Sequence, residues 1–269
     1  MKIRTATIII AAITLSAVIM PGRSLVAAEK ESAISIPVGI SYSSTYWWRG
    51  TELNGKGTGV IWPGIGLEIA GTGLSLSIAA GLNVDCIAAD TETDRKAADD
   101  FNEIDYGLAW STDLGDMVSL GVGVMYVSYP NADYGSFIEG SLSLGADMPF
   151  SPALDFYYDY YVEENGNDPD APQAEDFYIK FSLGHDLISS GSFTCSAGAW
   201  IGYYNDPYFG AEGFSDAGIS IGIAEEYMGV SFSSAVNYAR SLSEDFQTAY
   251  GSGKLKNHIW ADFGVAYSF

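Results

Sequence analysis

Residues able to do nucleophilic or acid–base chemistry are sparse in this sequence. It contains two histidines, His185 and His258, and two cysteines, Cys86 and Cys195. A Ser-His-acid site needs a histidine beside a hydroxyl and a carboxylate, and the best candidate spacing is His258 with Asp262 four positions later. Two cysteines cannot make a four-cysteine zinc site or a disulfide framework. We therefore predict no catalytic residue, no metal site and no cofactor, and expect that the protein is not an enzyme.

Carboxylates, in contrast, are abundant. The 269 residues include 34 Asp and Glu against 12 Lys and Arg, for a net charge of −22. This excludes nucleic acid as a partner, because binding phosphates needs clustered basic residues. Acidic residues concentrate in segments 85–103 and 163–176. Their oxygens could bind Ca²⁺, although neither segment has a complete EF-hand pattern. A solvated, repulsive surface is the interpretation that we favour.

The first 28 residues have the layout of a secretory signal peptide. Two basic residues open the chain, residues 6–20 are almost all apolar, and small residues precede Glu29. An N-terminal membrane anchor is the alternative, but a membrane-spanning helix needs about 20 apolar residues. The sequence therefore predicts a signal peptide over 1–28 and an exported domain over 29–269.

The rest of the sequence alternates apolar with small residues at a period of two. Residues 74–84, for example, place Leu, Ile, Ala or Val at every second position. Twelve such segments of roughly ten residues are typical of a transmembrane barrel. The interleaved residues are mainly Gly, Ser and Ala, whereas a soluble sandwich would carry charged residues there. Short and long connections also alternate. We predict an all-β fold, a transmembrane antiparallel up-and-down β-barrel of 12 strands.

The C-terminus ends on alternating aromatic and apolar residues. Phe263, Val265, Tyr267 and Phe269 occupy every second position up to the last residue. This pattern resembles the sorting signature of bacterial outer-membrane proteins, which implies recognition by the assembly machinery through Phe269. With the signal peptide, it predicts export through the periplasm to the outer membrane of a diderm bacterium, with outer-membrane lipid as a partner.

Strand parity predicts which side chains face the lumen. The apolar series should face lipid and the interleaved series should face inward. The candidates for pore lining are Trp47, Arg49, Trp62, Glu68, Asp105, Glu139, Asp155, Tyr157, Asp159, Tyr161, Lys180 and Asp262. A symmetric hairpin would place Asp159 opposite Lys180, where the pair could tune selectivity or merely neutralise buried charge. A mainly acidic lumen would attract cations.

Aromatic residues near the strand ends predict two interfacial girdles. The outer girdle would comprise Tyr46, Trp48, Tyr160, Tyr203 and Tyr238, and the inner girdle Trp110, Phe156, Tyr267 and Phe269. Pro63 lies within a predicted strand, although proline removes a donor from the ladder. We expect Pro63 near the extracellular rim, at a bulge.

The first predicted strand carries the most distinctive segment. It ends in Tyr46-Trp47-Trp48-Arg49-Gly50, and residues 60–64 follow as Val-Ile-Trp-Pro-Gly. This run resembles the TorF-type porins, a family of outer-membrane β-barrels. The resemblance implies a barrel and a porin, but no substrate and no catalytic residue. Judged by their own chemistry, Trp47 and Arg49 could contact a passing solute. They could also lock the first loop by cation–π contact and hydrogen bonds, which we favour.

Three functions are compatible with these patterns. The first is a narrow channel for passive diffusion of small neutral or cationic hydrophilic solutes. The second is a structural or surface-interaction barrel with a closed lumen and functional acidic extracellular loops, since an inward-folded loop could close a barrel of this size. The third, an outer-membrane enzyme, is disfavoured because the two histidines are isolated.

Overall fold

The computed structural model describes residues 33–53, 59–84, 103–130, 135–162, 175–206, 211–245 and 257–269. The predicted signal peptide and most of both acidic segments lie outside the described residues. The strands in the described part are β1 (Ile34–Ser35), β2 (Pro37–Ser43), β3 (Trp47–Trp48), β4 (Thr51–Glu52), β5 (Val60–Ile69), β6 (Leu74–Asn83), β7 (Glu103–Leu114), β8 (Val118–Ser128), β9 (Phe137–Ala146), β10 (Ala153–Tyr161), β11 (Asp176–Ser190), β12 (Phe193–Asp206), β13 (Ala211–Tyr227), β14 (Val230–Ser241) and β15 (Asn257–Ser268).

Twelve of these strands, β2 and β5 to β15, close into one antiparallel barrel. Each strand from β5 to β15 pairs with the next, and β2 pairs with both β15 and β5. Strand β1 continues β2 beyond Ile36, whose backbone exchanges two 3.2 Å hydrogen bonds with Phe269. Closure leaves no free sheet edge, which hydrocarbon surroundings demand because every backbone group must be paired. The predicted fold and strand number are confirmed.

The outer surface of the barrel is apolar. On β13, Ile219, Ile221 and Ile223 are 58%, 58% and 46% exposed. Between them, Ser220 and Gly222 are half-buried or buried. This alternation recurs around the wall. An exposed apolar band of this extent is not typical of a surface that contacts water. Within the described ranges, no helix has both the length and the apolar character needed to cross a membrane.

The two ends of the barrel differ in their connections. We call the end that holds the connections 70–73, 115–117, 147–152, 191–192 and 228–229 the turn end, and the opposite end the loop end. Glycines with positive φ serve the tight turns, including Gly115 at 77° and Gly191 at 62°. The chain enters the barrel at Ile34 and leaves it at Phe269, both at the turn end.

Two irregularities shape the wall near the loop end. On one side of β5, Pro63 pairs with Ile40 of β2. On the other side, positions 62 and 63 are not paired with β6, and the pairing resumes at Gly64 in the same register. The expected bulge at Pro63 is therefore wrong, since the missing N–H leaves a gap in the ladder instead. A bulge lies in β13, where Ser215 is the extra residue and both Ser215 and Asp216 are buried.

Candidate functional site

After β2 the chain leaves the barrel wall and folds back into the lumen. Strands β3 and β4 pair with each other and are joined by Arg49 and Gly50. Both residues have positive φ, 47° and 97°, as a two-residue turn of type I′ requires. We call residues 44–53 the inward hairpin. Its buried residues are Thr45, Tyr46, Trp47, Arg49, Gly50 and Thr51, whereas Leu53 is exposed. An inward-folded loop, one of the possibilities that the sequence left open, is present.

The inward hairpin corrects two predicted positions in the outer girdle. Tyr46 is 8% exposed and its hydroxyl donates to Glu103 at 3.0 Å. Trp48 packs edge-on against Tyr204, with 5.8 Å between ring centroids. Neither ring faces lipid. The error arises because the alternating pattern continues through residues 46–48, although the chain has already left the wall.

Three carboxylates of adjacent wall strands meet the guanidinium of Arg49. Nη1 donates to Asp159 at 2.6 Å and to Asp176 at 3.4 Å, and Nη2 donates to Glu139. Asp159 pairs directly with Glu139 on one side and with Asp176 on the other. The four side chains are at most 3% exposed. Like charges placed opposite one another are unfavourable, so Arg49 supplies the compensating charge.

Aromatic rings surround the same guanidinium. Its carbon atom lies 4.3 Å from the ring centroid of Trp48, and 5.5 Å from those of Tyr157, Tyr178 and Tyr204. The negative faces of such rings attract cations, more strongly where water is excluded. Arginine remains charged in proteins. The lumen at the loop end therefore holds a positive charge that is surrounded by carboxylates and aromatic rings. We call Arg49, these three carboxylates and these four rings the Arg49 site.

The opposite side of the inward hairpin rests on β13, β14 and β15. Ser241 donates to the Gly50 carbonyl at 2.9 Å. A Cβ on Gly50 would lie 2.9 Å from the Ser215 carbonyl oxygen, so that only glycine fits there. Trp47 stacks on Trp260, with 5.8 Å between ring centroids. The hairpin thus bridges the lumen, from β13–β15 on one side to β9–β11 on the other.

The lumen between the Arg49 site and the turn end is lined by smaller side chains. Lys180 contacts Asp155 there at 3.4 Å, and their side chains are 33% and 14% exposed. The inward neighbours Ser182, Gly184 and Gly198 are only half-buried. This region is more open than the Arg49 site.

The predicted ion pair between Asp159 and Lys180 is wrong. Lys180 lies opposite Asp155, and Asp159 lies opposite Asp176. The observed partner Asp155 and the predicted partner Asp159 are separated by an even number of positions on β10, so both still face the lumen. Register depends on where the strands begin and end, which the alternating pattern does not specify.

Other predicted pore-lining residues also lie on the inward face of the wall. Trp62 is buried with its ring edge-on to Tyr46, Asp105 is buried, and Glu68 is half-buried near the turn end. Tyr161 donates to Asp176 at 3.2 Å. Their part in lining a pore stays a prediction.

Asp262 and His258 do not form a catalytic pair. Asp262 accepts hydrogen bonds from Ser43 at 2.5 Å and from Asn237 at 2.6 Å. Nδ1 of His258 lies 3.8 Å from Glu52 instead. His185 packs against a phenylalanine near the turn end. In the part of the chain that the structure describes, no three His, Cys, Asp or Glu side chains are placed to hold a metal ion.

Four residues of the Arg49 site were not among the predicted pore-lining residues, namely Trp48, Asp176, Tyr178 and Tyr204. Asp176 was assigned to the second acidic segment, but it is the first residue of β11. Tyr204 alternates with Tyr203, which was assigned to the lipid side. Alternation along the strands could have identified Asp176 and Tyr204. Asp176 is an even number of positions from Tyr178 and Lys180 on β11 and so shares their face, whereas Tyr204 follows Tyr203 directly on β12 and so points to the opposite face.

Comparison with solved structures shows the fold. The NanC porin matches with a TM-score of 0.52 at 12% identity, over 86% of this chain and 98% of that one. The KdgM porin has a TM-score of 0.47 at 10% identity, over 87% and 99%. LpxR from Salmonella typhimurium has a TM-score of 0.43 at 11% identity, over 86% and 99%. No family model and no curated protein matches the sequence. The likeness to the NanC structure shows that this chain has the antiparallel β-barrel fold of outer-membrane proteins.

Proposed function

We propose that this protein is an outer-membrane channel for passive diffusion of small hydrophilic solutes, either neutral or cationic. The observation that carries the proposal is a closed barrel with an apolar outer face and an inward hairpin across its lumen. The hairpin is held by hydrogen bonds, ion pairs and ring contacts, all of which are reversible. It forms a polar constriction above a more open region lined by Ser and Gly. Its aromatic-Arg-Gly run is the segment that resembles the TorF-type porins, which supports membership of that family.

Several features support a location in the outer membrane, reached through the periplasm. The apolar band suits lipid, and residues 1–28 have the layout of an export signal. Phe269 is 71% exposed at the turn end, beside the closing seam between β15 and β2. Before β15 pairs with β2, its edge is free, and the assembly machinery could then recognise this strand by pairing with it.

The balance of charge in the constriction favours cations. Arg49 faces Glu139, Asp159 and Asp176, so that carboxylates exceed the guanidinium by two. Asp105 adds a further buried carboxylate on β7. A negative lumen with low-dielectric walls raises the local concentration of cations and repels anions.

A structural or surface-interaction barrel with a closed lumen is the second candidate. The specific observation that favours it is the burial of the constriction, where Arg49 is 6% exposed and Asp159 is 0% exposed. If the inward hairpin never moves, solutes cannot pass. Function would then lie at the loop end, where the acidic segments 85–103 and 163–176 could bind divalent cations or a surface partner.

Single-channel recording in a planar bilayer under a salt gradient separates the two candidates. We would compare the refolded mature protein with a variant whose residues 46–53 are replaced by a Gly-Ser linker. A channel predicts discrete openings with cation preference, larger conductance without the hairpin, and weaker preference in Asp105→Asn/Asp159→Asn. Anion preference would overturn the account of selectivity. A folded wild-type barrel that stays silent would establish the closed barrel, whether or not the variant without the hairpin conducts.

A further inference from the structure

The only ionisable groups that the wall contributes to the ion pairs of the Arg49 site are carboxyl groups. Glu139, Asp159 and Asp176 come from three adjacent strands, and the positive charge comes from the inward hairpin. Buried carboxylates that lose their partner are strongly unfavourable. When the hairpin leaves the lumen, these groups lose their compensating charge, and a second cation bound in place of Arg49 would restore it.

The geometry of the site fits a guanidinium better than a spherical cation. Both terminal nitrogens of Arg49 contact Asp159, while Nη1 also reaches Asp176 and Nη2 also reaches Glu139. Such contacts use the planar fork of the guanidinium, which an ammonium lacks. Oε1 of Glu139 is buried and has no hydrogen-bond partner among the described residues. The wall thus offers one acceptor that Arg49 does not use.

Most of the aromatic box also belongs to the wall. Tyr157, Tyr178 and Tyr204 lie on β10, β11 and β12, at 5.5 Å from the guanidinium carbon. Only Trp48 is part of the inward hairpin and would move with it. Carboxylates combined with ring faces form the chemistry that recognises organic cations.

We propose that the wall part of the Arg49 site is a binding site for organic cations, with guanidinium-bearing solutes as the preferred class. Arg49 fills this site as an internal ligand in the resting barrel, and a solute cation competes with it. The consequence for transport rests on the proposed channel. The binding itself does not, because it is measured without conductance.

Chemical rescue tests the proposal in the refolded mature barrel. Arg49→Ala removes the side chain beyond Cβ, and ethylguanidinium has the shape of the part removed. We expect ethylguanidinium to raise the thermal unfolding temperature of Arg49→Ala by about 3 to 6 °C at ten times its dissociation constant. The wild-type barrel should not respond, because Arg49 already occupies the site.

Matched probes and a second variant define the recognition. Ethylurea has nearly the same shape without charge and should have no effect, and ethylammonium should act more weakly. Adding Asp159→Asn to Arg49→Ala should reduce the response to ethylguanidinium. An equal response to ethylguanidinium and ethylurea would overturn the proposal, whether or not the wild-type barrel conducts. If Arg49→Ala refolds poorly, its refolding yield with each probe becomes the readout, and equal yields would overturn the proposal as well.

Discussion

The guanidinium of Arg49 donates to the carboxylate of Asp159 at 2.6 Å, across a sequence separation of 110 residues. Arg49 lies on a two-residue turn inside the barrel, and Asp159 lies in the wall near the loop end of β10. Asp159 is 0% exposed, so that its charge depends on partners within the protein. This contact joins the inward hairpin to the wall across the lumen.

Replacing Arg49 by methionine should destabilise the barrel strongly. Arg49→Met leaves three buried carboxylates without their cation, and breaking such a buried pair costs about 3–5 kcal/mol. Arg240→Met is the matched control, because Arg240 is exposed near the loop end of β14 and should change stability by less than about 0.5 kcal/mol. Denaturant unfolding in lipid vesicles measures both. Equal losses would show that the Arg49 contacts contribute no specific stability.

Gly50→Ala should disrupt the inward hairpin. Gly50 has a φ of 97°, and an added Cβ would lie 2.9 Å from the backbone oxygen of Ser215. Strain and the close contact together should cost about 1–3 kcal/mol. Gly115→Ala is the control, since Gly115 has a φ of 77° but nothing within 4 Å of an added Cβ. We expect only Gly50→Ala to increase single-channel conductance. The same change in both variants would contradict this role of the hairpin.

A double-mutant cycle tests the register of β10 and β11. Lys180→Met and Asp155→Asn should show a coupling of about 0.2–1 kcal/mol, as for other partly exposed pairs. Lys180→Met and Asp159→Asn should show none, because Asp159 lies opposite Asp176. The free energies of unfolding of the single and double variants give both values. A larger coupling to Asp159 than to Asp155 would mean that the symmetric pairing is correct after all.

Charges placed on the outer face test whether it meets lipid. Ile219 is 58% exposed in the middle of β13, and Ile219→Arg should cost about 2–4 kcal/mol if this position lies at the centre of the bilayer. Met117 is 57% exposed in a connection at the turn end, and Met117→Arg should cost about 0–1 kcal/mol. Unfolding of both variants in lipid vesicles measures the difference. A similar, small cost for the two substitutions would argue against a membrane-embedded wall.

The sequence predicted the wall because the wall follows a local rule. In a strand, successive side chains point to opposite faces, so a period of two identifies both the strand and its inward residues. Asp105, Glu139, Tyr157 and Asp159 were placed on the lumen side in this way, where the structure has them. The number of strands and their antiparallel order followed from the repeated segments and the connection lengths.

The same rule failed where the chain left the sheet. Tyr46 and Trp48 continue the alternation of β2, yet both lie in the interior, because the pattern carries no information on whether a strand still has wall neighbours. The partner of Lys180 was also misassigned, since register depends on strand ends. Closure across the lumen involves contacts between residues far apart in the sequence, and local periodicity cannot specify them.

The sequence by itself determined a closed, apolar-coated barrel of 12 strands with an acidic interior, because side-chain alternation is a property of each strand alone. Only the tertiary structure decided that Arg49 lies among Glu139, Asp159 and Asp176, and that the first loop crosses the lumen. The physical reason is that the hairpin position results from charge compensation and ring packing among five or more strands at once. Those interactions exist only after the barrel has closed.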